Sequence, residues 1–215
     1  MKAHCAGILV ALATTTATLG QGTFQNLGFE QATVFGDPTP AAGALPFWVG
    51  YINGVPIANI FYNDVSIGGA AVSIHDTSSH FYPALLGSYS VLLQGSGAGP
   101  ATSAAIAQTG QLPSDAVSIR FWASPLSNNL QVWLDGQSIP LFILGAGPSY
   151  NILGGDITVH AGQTRELRFV GPANGGGFFD NIQFSNQPIP EPSAVSLLFG
   201  GLSFVAFRHW RRAEP

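Results

Sequence analysis

Apolar and polar positions alternate in short runs along most of this chain. Between residues 21 and 187 no stretch sustains apolar side chains at helical spacing between caps. Runs at 89–94, 116–121, 130–134, 167–170 and 178–184 alternate instead, and turn residues separate them. Asp135-Gly136 follows one such run, and its glycine supplies the positive φ that a tight hairpin turn demands. About ten short strands at this spacing predict an all-β domain, a jelly-roll β-sandwich over residues 21–186.

Two of the runs carry a candidate surface. Ile119 and Phe121 share one face of their strand, Arg120 and Trp122 the other. Leu130, Val132 and Leu134 likewise oppose Gln131 and Trp133. With the aliphatic faces inside, Arg120, Trp122, Gln131 and Trp133 point outward. Pairing the two strands as a hairpin across residues 124–129 places Arg120 opposite Trp133 and Trp122 beside Gln131. Sugars stack their apolar faces on such rings, and polar groups fix the hydroxyls. The alternative is that the two tryptophans pack beneath loops or a second layer, since tryptophan is highly buried on average.

The two ends follow other patterns. Residues 1–20 begin with Lys2, pass through an apolar stretch and finish in small residues, as a cleavable signal peptide does. The alternative there is a buried N-terminal helix. At the other end, residues 187–215 contain Pro190, Glu191 and Pro192, an uncharged apolar run over 194–207, and the basic residues Arg208, Arg211 and Arg212. Proline keeps the first part extended, and the basic cluster stays cytoplasmic by the positive-inside rule. A 14-residue helix spans about 21 Å against roughly 30 Å of hydrocarbon. Such a short transmembrane helix is a marginal permanent anchor and suits a temporary one. A plain C-terminal anchor is the alternative.

This three-part tail resembles the PEP-CTERM sorting signal. The resemblance implies processing near Pro190-Glu191-Pro192 by an exosortase-type membrane protease. It also implies transient anchoring in the inner membrane through 194–207, then release to the cell surface or an exopolysaccharide matrix. The tail departs from the pattern where His209 and Trp210 interrupt the arginines and Ala213-Glu214-Pro215 follow them.

A second resemblance covers most of residues 23–185. The domain opens with Asn26-Leu27-Gly28-Phe29-Glu30 and closes with Phe179-Asp180-Asn181-Ile182. Gly87-Ser88-Tyr89-Ser90-Val91 and Ile106-Ala107-Gln108 stand between. This order resembles the galactose-binding-like jelly roll shared by many carbohydrate-binding modules. The resemblance implies that the opening and closing strands lie together, and that Glu30 and Asp180 hold a structural calcium ion. Asp180 also shares strand parity with Phe178, Ile182 and Phe184, so a core-facing strand would turn its carboxylate inward, where it needs a partner. Calcium takes six or more oxygen ligands. Backbone hydrogen bonds are the alternative partners for both acids.

Composition narrows the function. The chain has 215 residues, of which only 8% are charged and 46% hydrophobic, with 27 glycines and 15 prolines. Between residues 21 and 187 stand three arginines (Arg120, Arg165, Arg168) and nine acids, a formal charge of 3 − 9 = −6. Nucleic-acid binding needs a basic face, so that class is excluded. Cys5 precedes the apolar run of the signal peptide, which argues against lipidation and leaves the remaining domain without thiols. His75, Asp76 and His80 cluster in sequence but read as a solvated Ser/Thr-rich loop rather than a zinc site. His160 stands alone. Gly95-Ser96-Gly97 lacks the context of a nucleophile elbow, and no spacing points to paired catalytic carboxylates. The expected protein is therefore a non-catalytic, exported surface or matrix protein whose sandwich binds extracellular polysaccharide. A glycan- or polymer-active hydrolase and a purely structural surface protein without ligand are the alternatives.

Overall fold

The computed structural model describes residues 21–97 and 100–190. The signal peptide, Glu191, Pro192, the apolar run 194–207 and Arg208, Arg211 and Arg212 lie outside the described residues.

The chain forms β1 (Thr39–Pro40), a single helical turn (Ala41–Ala44), β2 (Val49–Ile52), β3 (Val55–Pro56), β4 (Asn59–Tyr62), β5 (Ala71–Asp76) and β6 (Tyr89–Gln94). There follow β7 (Ala104–Gln111), β8 (Ser118–Ala123), β9 (Gln131–Leu134), β10 (Gln137–Ile139), β11 (Phe142–Ala146) and β12 (Asn151–Asp156). A 3-10 turn (Thr158–His160) leads to β13 (Thr164–Gly171) and β14 (Gly176–Ser185). An eight-stranded sheet has the order β1-β4-β5-β6-β14-β8-β12-β11, and a six-stranded sheet the order β10-β9-β13-β7-β2-β3. The alternating strands bury their apolar faces against each other across these two layers. Phe169 of the smaller sheet stacks on Phe179 of the larger, with ring centroids 4.5 Å apart, and Phe121 meets Phe169 edge-on at 5.1 Å.

Each predicted run coincides with a strand or most of one. Asp135 and Gly136 turn the β9–β10 hairpin at φ 47° and 77°, both in the left-handed region. The opening segment pairs with the closing strand through Ile182 N–H to Leu27 O at 3.0 Å. Gln108 fastens the same segment by exchanging two hydrogen bonds with the backbone of Gln25.

Two expectations about the strands fail. Residues 124–129 do not form a hairpin: β8 lies in the larger sheet and β9 in the smaller. Alternation states which face of a strand is inside, and it is silent on which sheet the strand joins. Here β14 and β12 flank β8, while β13 and β10 flank β9.

The second failure is the parity of β14. Its register shifts between Asp180 and Gln183, where Asn181 takes φ 52°. Such a bulge reverses the faces on its two sides. Phe179, Ile182 and Phe184 therefore face the core, and Phe178 and Asp180 face outward.

Candidate functional site

Asp180 faces outward yet is only 1% exposed. Residues 77–88, between β5 and β6, cover that part of the larger sheet. Their backbone is tied down by Ser79 N–H and Ala84 N–H to Asp76 O, and by Leu85 N–H to Ser90 Oγ. Beneath them Asp180 Oδ2 accepts from Ser90 Oγ at 2.8 Å and Leu86 N–H at 3.2 Å, while Oδ1 accepts from Asn181 N–H. Burial pushes the Asp180 carboxyl up to about 7 against those hydrogen bonds, and the nearby negative charge of Glu30 adds to the rise.

Glu30 stands beside this group. Its carboxylate accepts from Ser88 N–H and Tyr89 N–H. Two glycines make room. A Cβ on Gly28 would lie 3.9 Å from Glu30 Cγ and 4.0 Å from Asp180 Oδ1, and one on Gly87 would collide with the Glu30 carboxylate. The structure thus brings Glu30 and Asp180 together and also gives both the backbone donors that the alternative reading required. Among the described residues no group of three or more His, Cys, Asp or Glu side chains converges, so further calcium ligands would be backbone, amide, hydroxyl or water oxygens.

His75 is placed differently from its expected solvated loop. It sits on β5, fully buried, with Nδ1 2.8 Å from Ser79 Oγ. Its ring meets Tyr82 and Phe178 edge-on. Nε2 is buried without a hydrogen-bond partner among the described residues, and burial pulls the imidazole down to about 4. Asp76, at the end of β5, accepts from Tyr62 Oη, Asn63 Nδ2 and Ser78. Burial opposes these bonds, which prevail and hold Asp76 near 2, while Tyr62 rises to about 12 through its bond to that carboxylate. His80 is exposed and takes no part in this network.

The rings over His75 lead to a cleft that the sequence patterns did not disclose. Tyr82, Phe178 and Leu126 supply its apolar surface, and Gln94, Asn128 and Asn174 its amides; its volume is about 260 Å³. It lies where the loops β6–β7, β8–β9 and β13–β14 meet. Asn128 and Gly176 lock two of those loops by exchanging backbone hydrogen bonds of 2.9 and 2.7 Å. At Gly176 a Cβ would strike Leu93 O, which is why that strand begins in glycine. Adjacent glycines with an amide-bearing neighbour, as in Asn174-Gly175-Gly176-Gly177, are the one sequence signal for it.

The four expected ligand residues all lie half-buried on outer faces, but on opposite sheets. Trp122 stacks on Tyr150 at 3.9 Å with the rings 5° from parallel. Arg120 donates to the carbonyls of Gln187 and Pro188. On the other sheet Trp133 donates to Gln131 and lies opposite Ser138 and Arg168. Arg120, expected opposite Trp133, is on the other sheet; Arg168 lies over the Tyr51 ring, at 4.5 Å. No single platform joins Trp122 to Trp133.

No protein-family model matches the chain, and no curated protein matches it significantly. Among solved structures, the Stig cyclase FisC from Fischerella, bound to an indole compound, is similar over 80% of this chain and 100% of its own. The TM-score is 0.51 at 15% identity, a likeness of fold. TmCBM61 in complex with β-1,4-galactotriose is more distant, with a TM-score of 0.36 at 15% identity over 76% of this chain and 97% of its own.

Proposed function

We propose that this chain is an exported surface or matrix protein whose jelly-roll sandwich binds a neutral polysaccharide without cleaving it. The observation that carries the reading is the cleft between the three loops. Aromatic and apolar side chains beside amides and hydroxyls are what sugar C–H faces and hydroxyls require, and no carboxylate, imidazole or ammonium lines it. Tyr82 is the stacking residue, with Asn128 and Asn174 as hydrogen-bonding partners. Residues 1–20 direct export, and the tail sorts the protein and is read by an exosortase-type protease, on the strength of its three-part pattern.

Calcium belongs to the same reading. Held between Glu30 and Asp180, it would supply the positive charge that two adjacent carboxylates call for, and hold residues 86–90 against the closing strand. At 100 times its dissociation constant a ligand adds about 2.7 kcal/mol to stability. Chelation should then lower the melting temperature by several degrees, and Asp180→Asn should abolish most of that difference. Unchanged melting with and without EDTA would eliminate the metal.

A glycan array followed by titration calorimetry tests the cleft. The expected result is binding of a neutral oligosaccharide without turnover, weakened at least tenfold by Tyr82→Ala and by Asn174→Ala. Silence across the array, or binding that ignores both substitutions, would remove the reading. Release of reducing ends would favour a hydrolase.

A further inference from the structure

After β14 the chain turns back across the outer face of the larger sheet. Ser118, fully buried, donates to Gln187 O at 2.7 Å. Arg120 Nη2 donates to the same oxygen at 3.1 Å and to Pro188 O at 3.3 Å, while its Nε is held by Ser118 Oγ. Beyond these bonds Ile189 settles on β12. A Cβ on Gly154 would come within 3.1 Å of Ile189 Cδ1 and 2.6 Å of Leu144 Cδ1, so the missing side chain makes the seat.

Around this strap the face is apolar and only half covered. It carries the Trp122–Tyr150 stack, Ile152 and Leu144, with Phe142 39% exposed on the edge strand. Residues 136–155, which form most of it, contain no acid, base or histidine. Four residues, 190–193, separate the pinned Ile189 from the apolar run 194–207. The five steps from Ile189 to Ala194 reach at most about 18 Å. Whatever holds that run is therefore close to this face.

We propose that the β8–β12–β11 face rests on the interfacial layer of a lipid bilayer while the tail is anchored, and that Arg120 sets this posture by pinning the strap. The proposal depends on the reading that residues 194–207 enter a membrane. Paired tryptophan and tyrosine rings suit the headgroup level, where one side is apolar and the other wet. The hairpin beside them has no charged group whose desolvation would oppose contact. Arg120 has its charge already facing the carbonyls of the strap, so it is free to lie under the contact.

The test uses the full chain with Cys5→Ser, reconstituted in phosphatidylethanolamine–phosphatidylglycerol vesicles. Nitroxide labels are placed one at a time at Phe142→Cys, Val55→Cys and Leu198→Cys. Val55, 65% exposed, marks the other sheet. Accessibility to oxygen against a water-soluble nickel complex should place Leu198 in the hydrocarbon, Phe142 at the interface and Val55 in water. Adding Arg120→Ala should move the Phe142 label toward water while Leu198 stays inserted. A Phe142 label as aqueous as that at Val55, with Leu198 inserted, would overturn the proposal and leave the tail reading intact. An aqueous Leu198 label would overturn both. Protection of Phe142 that persists without vesicles would assign the face to a protein partner and likewise overturn it.

Discussion

Over β5, β6 and the start of β14, the outer face of the larger sheet carries Ser73, His75, Ser90 and Asp180, all buried, and residues 77–88 lie against the last three. Over β8, β12 and β11 the same face carries Trp122, Tyr150, Ile152 and Leu144, and remains half open apart from the strap. On the covered half Ser90 and Asp180 accept the N–H groups of Leu85 and Leu86, because a loop lying on a sheet brings backbone donors that need acceptors. The open half is apolar, and among the described residues only the strap lies on it. Buried polar groups fix the position of one loop and make it sensitive to protons. Half-exposed rings leave a surface for something outside the domain.

The largest test of this contrast is Asp180→Ala. It strands the Ser90 hydroxyl and the N–H groups of Leu86 and Asn181, and should cost about 3 kcal/mol in urea unfolding, since each buried unsatisfied group costs about 1–3 kcal/mol. Trp122→Ala, on the open half, should cost about 1 kcal/mol, the usual worth of an aromatic pair. Equal losses at the two positions would dissolve the distinction.

The second test is pH, in metal-free buffer. Folding lowers His75 to about 4, so its share of stability is full above about 6.5 and is lost as pH falls through 4. Folding raises Asp180 to about 7, so its share is full below about 4 and is lost as pH rises through 7. Between pH 4.5 and 6.5 the two slopes, each at most about 1.4 kcal/mol per pH unit, oppose each other. Stability should therefore vary little there in the parent protein. It should rise with pH in Asp180→Asn and fall with pH in His75→Phe. Parallel profiles for the two variants would show that the groups do not titrate as their burial dictates.

The smallest expected effect is Trp133→Ala on the other sheet. Its ring is half-buried and away from both the cleft and the strap, so stability should change by less than about 1 kcal/mol and any sugar affinity not at all. A loss of about 3 kcal/mol would identify the ring as packing.

Much of this architecture is legible in the sequence. The alternating runs mark strands, Asp135-Gly136 marks its hairpin, and the inner faces of β8 and β9 follow from parity. The neighbourhood of Glu30 and Asp180 was legible as well, through resemblance and not through spacing. The cleft was not. Tyr82 lies in a stretch without periodicity, and its partners Asn128 and Asn174 are 46 residues apart in sequence. Amides in loops have too many ordinary uses for their positions to signal a site.

Local pattern determined the strands, the inner faces of β8 and β9 and the scarcity of basic residues between 21 and 187, because side-chain alternation and charge are properties of the chain at short range. Tertiary structure decided which sheet each strand joined, because many pairings bury the same apolar faces. It also decided the direction of Asp180. One residue, Asn181 at φ 52°, reverses the parity of everything before it, and the two-residue period carries no mark of where such a bulge falls. For the same reason Arg120, an outward arginine to any reading of its strand, became the residue that pins the strap: its partners are backbone carbonyls 67 and 68 residues away, which the fold alone brings to it.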